Sequence, residues 1–297
     1  MNPTRLSGRA LTFLCAALAL LFAGCSTPFP RPDASATASR PADAHAIFDR
    51  CLAAHGGDVR EHATDINLSM DGEWGFLIQR IQPVVTDTAY RIRAEERYRP
   101  TEQLYSVRWE GPSGVKTVVR TPETVEVFYN GARNTDEETL QAAAMTSDAF
   151  QLFHLGPSFL KMRNATFTQL DDARERGVVY HRLHTTIRPG FGFSESDEVV
   201  LWIHPESHRL FRVHMTLNGV ETTQGAHVDT TFLGYRQVGK MLVPTELNER
   251  VRGPLRIQAH RWWMTGADLD RGWSADDVRR ADFMARAAEP ARSLPSR

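Results

Sequence analysis

The run Leu210-Phe211-Arg212-Val213-His214-Met215-Thr216-Leu217 sets the reading of the whole chain. Phe211, Val213, Met215 and Leu217 fall on one side, and Arg212, His214 and Thr216 on the other. Strict alternation is the signature of a strand with one face buried and one wet. Asn218-Gly219 follows as a turn, and three more strand-like runs come after it: Val228 to Tyr235, Met241 to Arg250 and Leu255 to Met264. Upstream, Val199, Leu201 and Ile203 mark one strand, and Val179 and Leu183 another. The pattern recurs before residue 133, with Tyr90, Ile92 and Ala94, then Tyr105, Val107 and Trp109, then Val125, Val127 and Tyr129. Gly111-Pro112-Ser113-Gly114 and Asn130-Gly131 are turn signals between them. The count is about ten or eleven strands in an antiparallel meander, near the size at which an open sheet must curl.

Helical spacing interrupts this pattern in three places. Ala42 to His55 carries Ile47, Phe48, Cys51 and Leu52 on one side and is stopped by Gly56-Gly57. Between the two groups of strands, Thr135 with Glu138 forms a capping box before Leu140, Ala143 and Ala144. Ser147 or Asp148 caps a second short helix with Phe150, Leu152 and Phe153, ended by Gly156-Pro157. Ser274 with Asp277 starts a last helix. Arg188-Pro189-Gly190-Phe191-Gly192-Phe193 follows a strand and precedes no helix, so it reads as a long hairpin loop whose two aromatic rings are exposed at its tip.

The N-terminus decides the compartment. Arg5 and Arg9 precede an apolar run from Ala10 to Ala23, the length of a signal-peptide core and short for a membrane span. Leu21-Phe22-Ala23-Gly24-Cys25 resembles the lipobox of bacterial lipoproteins. That resemblance implies cleavage before Cys25, diacylglycerol on its sulfur and a membrane anchor; Ser26 in place of Asp implies the outer membrane, facing the periplasm. Ser26 to Pro41, rich in Pro, Ala and Ser, reads as a flexible spacer. The layout is then a signal peptide over 1–24, a lipidated cysteine and linker over 25–41, one folded domain over 42–272, and a short helix with a frayed tail over 273–297.

Composition excludes several classes. Cleavage removes two of the 35 basic side chains and none of the 36 acidic ones, so the mature chain stays weakly acidic and shows no basic patch for nucleic acid. Of three cysteines, Cys15 leaves with the signal, Cys25 takes lipid and Cys51 has no partner, which excludes an intrachain disulfide or a cysteine metal cluster. The eleven histidines form no HExxH, and His181 and His184 fall on opposite faces of a strand, so no metal site is expected. No GxSxG is present, and no cofactor or enzymatic activity is expected.

The segments Ala53-Ala54-His55-Gly56-Gly57, Val200-Leu201-Trp202-Ile203-His204-Pro205, Leu210-Phe211-Arg212-Val213, Leu217-Asn218-Gly219-Val220 and Val243-Pro244-Thr245 resemble the LolA/LolB-like superfamily of lipoprotein-sorting and lipid-carrier domains, over about residues 42 to 270. The resemblance implies a mainly β, α+β fold: a strongly curved antiparallel sheet forming an incomplete barrel, with N-terminal and mid-chain helices covering the concave face. It also implies a groove for acyl chains, of lipid or of other lipoproteins, between sheet and helices. Each methylene buried there is worth about 0.8 kcal/mol. The large side chains placed near that groove are Trp109, Phe150, Phe153, Phe159, Trp202, Phe211, Met215 and Trp263. Phe191, Phe193, Phe232 and Trp262 are further large residues of the same region, and any of these aromatics can equally be plain core. The alternative function is a non-enzymatic sensor or scaffold of the envelope, with an envelope-protein partner and the groove filled by its own side chains.

Overall fold

The computed structural model describes residues 26–33 and 41–279. The signal peptide, Cys25 and the tail from 280 onward lie outside the described residues, as do positions 34–40 of the expected spacer.

One antiparallel sheet organises the molecule. The chain enters through α1 (Pro41–Ala54), then lays down β1 (Ile66–Trp74). Two short helices, α2 (Ile78–Ile81) and α3 (Pro83–Thr86), interrupt the path to β2 (Arg93–Arg99). The meander continues through β3 (Leu104–Gly111), β4 (Gly114–Arg120), β5 (Val125–Tyr129) and β6 (Ala132–Asn134). Helices α4 (Glu137–Leu155) and α5 (Pro157–Met162) follow. A second meander then runs through β7 (Thr168–Glu175), β8 (Val178–Ile187), β9 (Asp197–Ile203), β10 (Leu210–Thr216), β11 (His227–Val238), β12 (Met241–Gly253) and β13 (Ile257–Leu269), before α6 (Ala275–Arg279).

The thirteen strands lie in the order β6-β5-β4-β3-β2-β1-β13-β12-β11-β10-β9-β8-β7. First and last strands pair at the centre, and the two meanders run outward to the open edges β6 and β7. This topology explains the mid-chain helices. Leaving β6, the chain must reach the opposite edge, and α4 and α5 carry it across the concave side. Register shifts in β1, β7, β10, β11 and β12 add twist, which bends so wide a sheet. The fold is the expected curved, unclosed half-barrel with helices in its hollow.

Local chemistry sets the ends of the elements. Gly56 and Gly57 stop α1 with φ of 100° and 85°. A Cβ on Gly56 would meet the Lys240 carbonyl oxygen at 2.1 Å, so only glycine fits there. The cap of α4 is Asp136 rather than Thr135: its carboxylate accepts from the Thr139 backbone N–H and hydroxyl. No break occurs at Ser147 or Asp148, and α4 runs on for 19 residues. From Ala142 to Leu155 nearly every residue is buried, the pattern of a helix enclosed on all sides rather than amphipathic. Ser274 caps α6 through the reciprocal bonds with Asp277 that its spacing predicts.

Two stretches differ from expectation. Residues 26–33 of the supposed leash lie on the convex face. Thr27 N–H donates to the Arg252 carbonyl, Phe29 packs on Leu170 and Val200, and Arg31 pairs with Glu198 at 2.6 Å. Their aromatic and charged members find partners that a Pro/Ala/Ser count does not foresee. The loop after β8 is not an exposed aromatic tip either. Phe191 is fully buried, while Phe193 is 48% exposed with the Arg120 guanidinium 4.8 Å from its ring. Asp197 holds the loop inward, accepting from the Phe191 N–H at 2.8 Å and the Ser194 hydroxyl at 2.6 Å.

Candidate functional site

The concave face holds aromatic side chains from both meanders and from α4. Trp109 on β3, Trp262 on β13 and Phe150 on α4 meet with ring centroids 5.2 to 5.8 Å apart, and Phe153 touches Phe150 at 5.7 Å. Trp262 is seated over Gly72, where an added Cβ would come within 2.2 Å of the indole. This packing leaves a void of about 40 Å³ between α4 and the sheet, bounded by Phe150, Phe153, Met215 and Arg91 among others. The space under the mid-chain helix, where a groove is expected, is therefore mostly filled.

A second hollow lies to one side, beneath α2 and α3. It has a volume of about 180 Å³ and continues from the smaller void, sharing Trp74, Val85, Leu217 and Glu249. Ile78 and Val85 form its roof; Val228, Val251, Ile257 and Ala259 form its floor. Its mouth is edged by Thr222, Gln224, Pro254 and Leu255. An engineered apolar cavity of about 150 Å³ stays dry and takes benzene, so this hollow suits an apolar group of that size or the start of a longer chain.

The cover is a clear amphipathic piece. Ile78 points inward and Ile81, 43% exposed, also reaches the hollow, while Phe76 is 69% exposed and Leu77 44%. Phe76 and Leu77 are consecutive exposed apolar side chains, with the Arg80 guanidinium 3.9 Å from the Phe76 ring centre. Polar bonds hold the cover down. The Gln82 side chain donates to the Thr222 carbonyl at 2.8 Å and accepts from its hydroxyl at 3.1 Å. Below, Arg91 donates to the Val85 carbonyl. At the end of α3, the Asp87 carboxylate receives the Lys116 ammonium and the Tyr129 hydroxyl, both at 2.7 Å. Burial pushes the Lys116 amine down to about 8 despite that partner.

The sequence-derived site residues divide by face. Phe150, Phe153 and Met215 line the inner void, and Trp109 backs it. Phe159 lies farther along, stacked on Phe191 at 6.5 Å. Trp202, Phe211 and Trp263 are not at the hollow. Trp202 alternates with inward Leu201 and Ile203 and packs against Phe29's cluster on the convex face. The register shift between Leu210 and Arg212 turns Phe211 outward onto Tyr180, with centroids 4.3 Å apart. Trp263 is 36% exposed because its neighbour Trp262 takes the inward place. Sequence reading missed the cover, although Ile78, Ile81 and Val85 stand at helical spacing. The period-two pattern on either side of it masks that signal.

Among the described residues no three His, Cys, Asp or Glu side chains converge as a metal site, and no helix is long and apolar enough to cross a membrane.

An open antiparallel sheet bent around helices, with a mostly apolar hollow under a short cover, makes an incomplete half-barrel. The solved structures it is similar to include a LolA superfamily protein of Nitrosomonas europaea, at 10% identity and TM-score 0.48, covering 80% of this chain and 97% of that one. A DUF1329 family protein of Desulfovibrio piger matches at 13% identity and TM-score 0.43, over 84% and 100% of the two chains. A Vibrio parahaemolyticus domain provisionally assigned to outer membrane lipoprotein sorting matches at 10% and 0.40, over 82% and 99%. No family profile and no curated protein matches the sequence.

Proposed function

We propose that this chain is an envelope lipoprotein, anchored through Cys25 in the outer membrane facing the periplasm, that binds an alkyl chain of a lipid or lipoprotein beneath α2 and α3 without acting as an enzyme. The observation that carries the reading is the mostly apolar hollow of about 180 Å³ roofed by a cover that exposes Phe76 and Leu77. A hydrocarbon tail would complete packing that the protein's own side chains leave undone. At about 0.8 kcal/mol per methylene, six carbons supply roughly 5 kcal/mol before the cost of ordering the tail. The hollow in its present state holds only part of a long acyl chain, so a full tail requires the cover to lift or the remainder to run out past Pro254 and Leu255.

Native mass spectrometry of the purified protein, with lipid extraction, tests this. Bound alkyl lipid is the expected result. Ala226→Trp, at the half-buried rim, should block the hollow and abolish the adduct while leaving the melting temperature within a few degrees. A wild-type protein that stays empty when offered alkyl ligands would sink the proposal. The filled space under α4 favours the second reading, a sensor or scaffold working through a protein partner. That reading expects saturable protein capture and no lipid.

A further inference from the structure

The inner end of the hollow is polar in an unusual way. Arg91, two residues before β2, is buried almost completely, with its guanidinium carbon 4.5 Å from the Trp109 ring centre, 5.0 Å from Trp74 and 5.6 Å from Phe150. Nη1 is used by the Val85 carbonyl, but Nε and Nη2 have no hydrogen-bond partner. These two nitrogens form one side of the guanidinium fork, the side that receives a carboxylate through two parallel bonds. Buried donors left without acceptors are costly, and a buried cation without an anion more so. Arg91 also bounds the 40 Å³ void that continues into the apolar hollow.

Glu249 and His260 also line this void, and Asp87 lies close by; both carboxylates are already engaged, and neither ring nitrogen of His260 is an anion that could answer Arg91. Glu249 accepts from His260 Nε2 at 3.0 Å and from the Thr230 hydroxyl at 2.8 Å. Asp87 is held by Lys116 and Tyr129. His260 Nδ1 and Trp262 Nε1 also lack partners, and the open fork of Arg91 is the unsatisfied cationic group at the inner end of a greasy chamber.

We propose that the hollow takes a single-chain carboxylic amphiphile of the fatty-acid class, its carboxylate on Nε and Nη2 of Arg91 and its tail running between Val85 and Leu217 toward the mouth. The proposal rests on the alkyl-binding reading above and adds the headgroup. The aromatic rings around Arg91 exclude water, which strengthens the pairing and selects an anion over a neutral head of equal length.

Calorimetric titration of the delipidated protein with octanoate and with methyl octanoate tests it. Octanoate should bind at least about tenfold more tightly, as expected for two charge-assisted hydrogen bonds formed away from water. In Arg91→Met the preference should vanish while methyl octanoate still binds. Carboxyl-labelled octanoate should stay ionised to lower pH when bound than when free, read by its carbon-13 shift. Equal binding of acid and ester by the wild-type protein overturns the headgroup assignment and leaves the alkyl site standing; no binding of either overturns both. The wild-type comparison decides the matter even if the Arg91 variant fails to fold.

Discussion

At the scale of single residues, several polar groups owe their state first to burial, with nearby cations adding to it. His55 ends α1 with its Nε2 accepting from the Leu210 N–H at 3.0 Å, which places the ring proton on Nδ1. Burial holds this imidazole down at about 4, against an ordinary 6.5. Between those values the unfolded chain takes up a proton that the folded chain refuses. The stability linked to His55 is therefore intact above pH 6.5 and lost progressively as pH falls to about 4, by roughly 3 kcal/mol. His214, paired with His227 at 2.7 Å and pushed down to about 3 by burial, acts in the same direction. His55→Gln keeps an acceptor for Leu210 and removes one titration. Urea unfolding at pH 7 and pH 4.5 should show a smaller loss of stability in the variant; an unchanged slope would remove His55 from the account.

At the scale of elements, α4 depends on an ion pair that its sequence disguises. Asp148 looks like a helix cap, yet it sits mid-helix and fully buried. It accepts from Arg120 Nε and Nη2 at 3.0 and 2.9 Å, from Gly192 N–H at 2.8 Å and from Arg163 at 3.4 Å. It thereby joins the helix to β4 and to the loop before β9. Asp148→Asn strips the charge and leaves Arg120 buried with only carbonyl partners, which should cost about 3 to 5 kcal/mol in denaturant unfolding. Replacing Arg120 and Asp148 together by apolar residues should recover part of that loss.

The same element shows what was legible. Its existence and its end at Gly156 could be read from spacing, because helix periodicity and Gly-Pro punctuation are local. Its continuity could not, because Asp148 is satisfied by residues 28 and 44 positions away. The strands were readable for a like reason, and the misplacement of Phe211 follows from a register shift that alternation cannot reveal. Arg91 gave no signal at all in sequence: its meaning lies in rings from three separate elements.

At the scale of the whole molecule, the described N-terminal segment is a strap across the convex face. Phe29 packs edge-on to His214 and His227, with centroids 4.8 and 5.6 Å away, and Arg31 reaches Glu198. Burying one phenylalanine supplies about 2 kcal/mol, so Phe29→Ala should raise the undocked population about thirtyfold. Limited proteolysis should then cut near residue 30 far faster while the melting temperature barely moves. Equal cleavage rates in the two proteins would mean that Phe29 does not hold the strap.

That strap begins at the turn after β12. Ser26 lies beside Gly253, and Pro254 and Leu255, the next two residues, edge the mouth of the hollow. A free 16-residue leash would let the domain roam about 50 Å from its lipid. With Ser26 pinned, the proposed lipid on Cys25 would instead be a short mooring. It would berth the domain with its entrance beside the bilayer, so cargo would change hands at that surface and not out in the open periplasm.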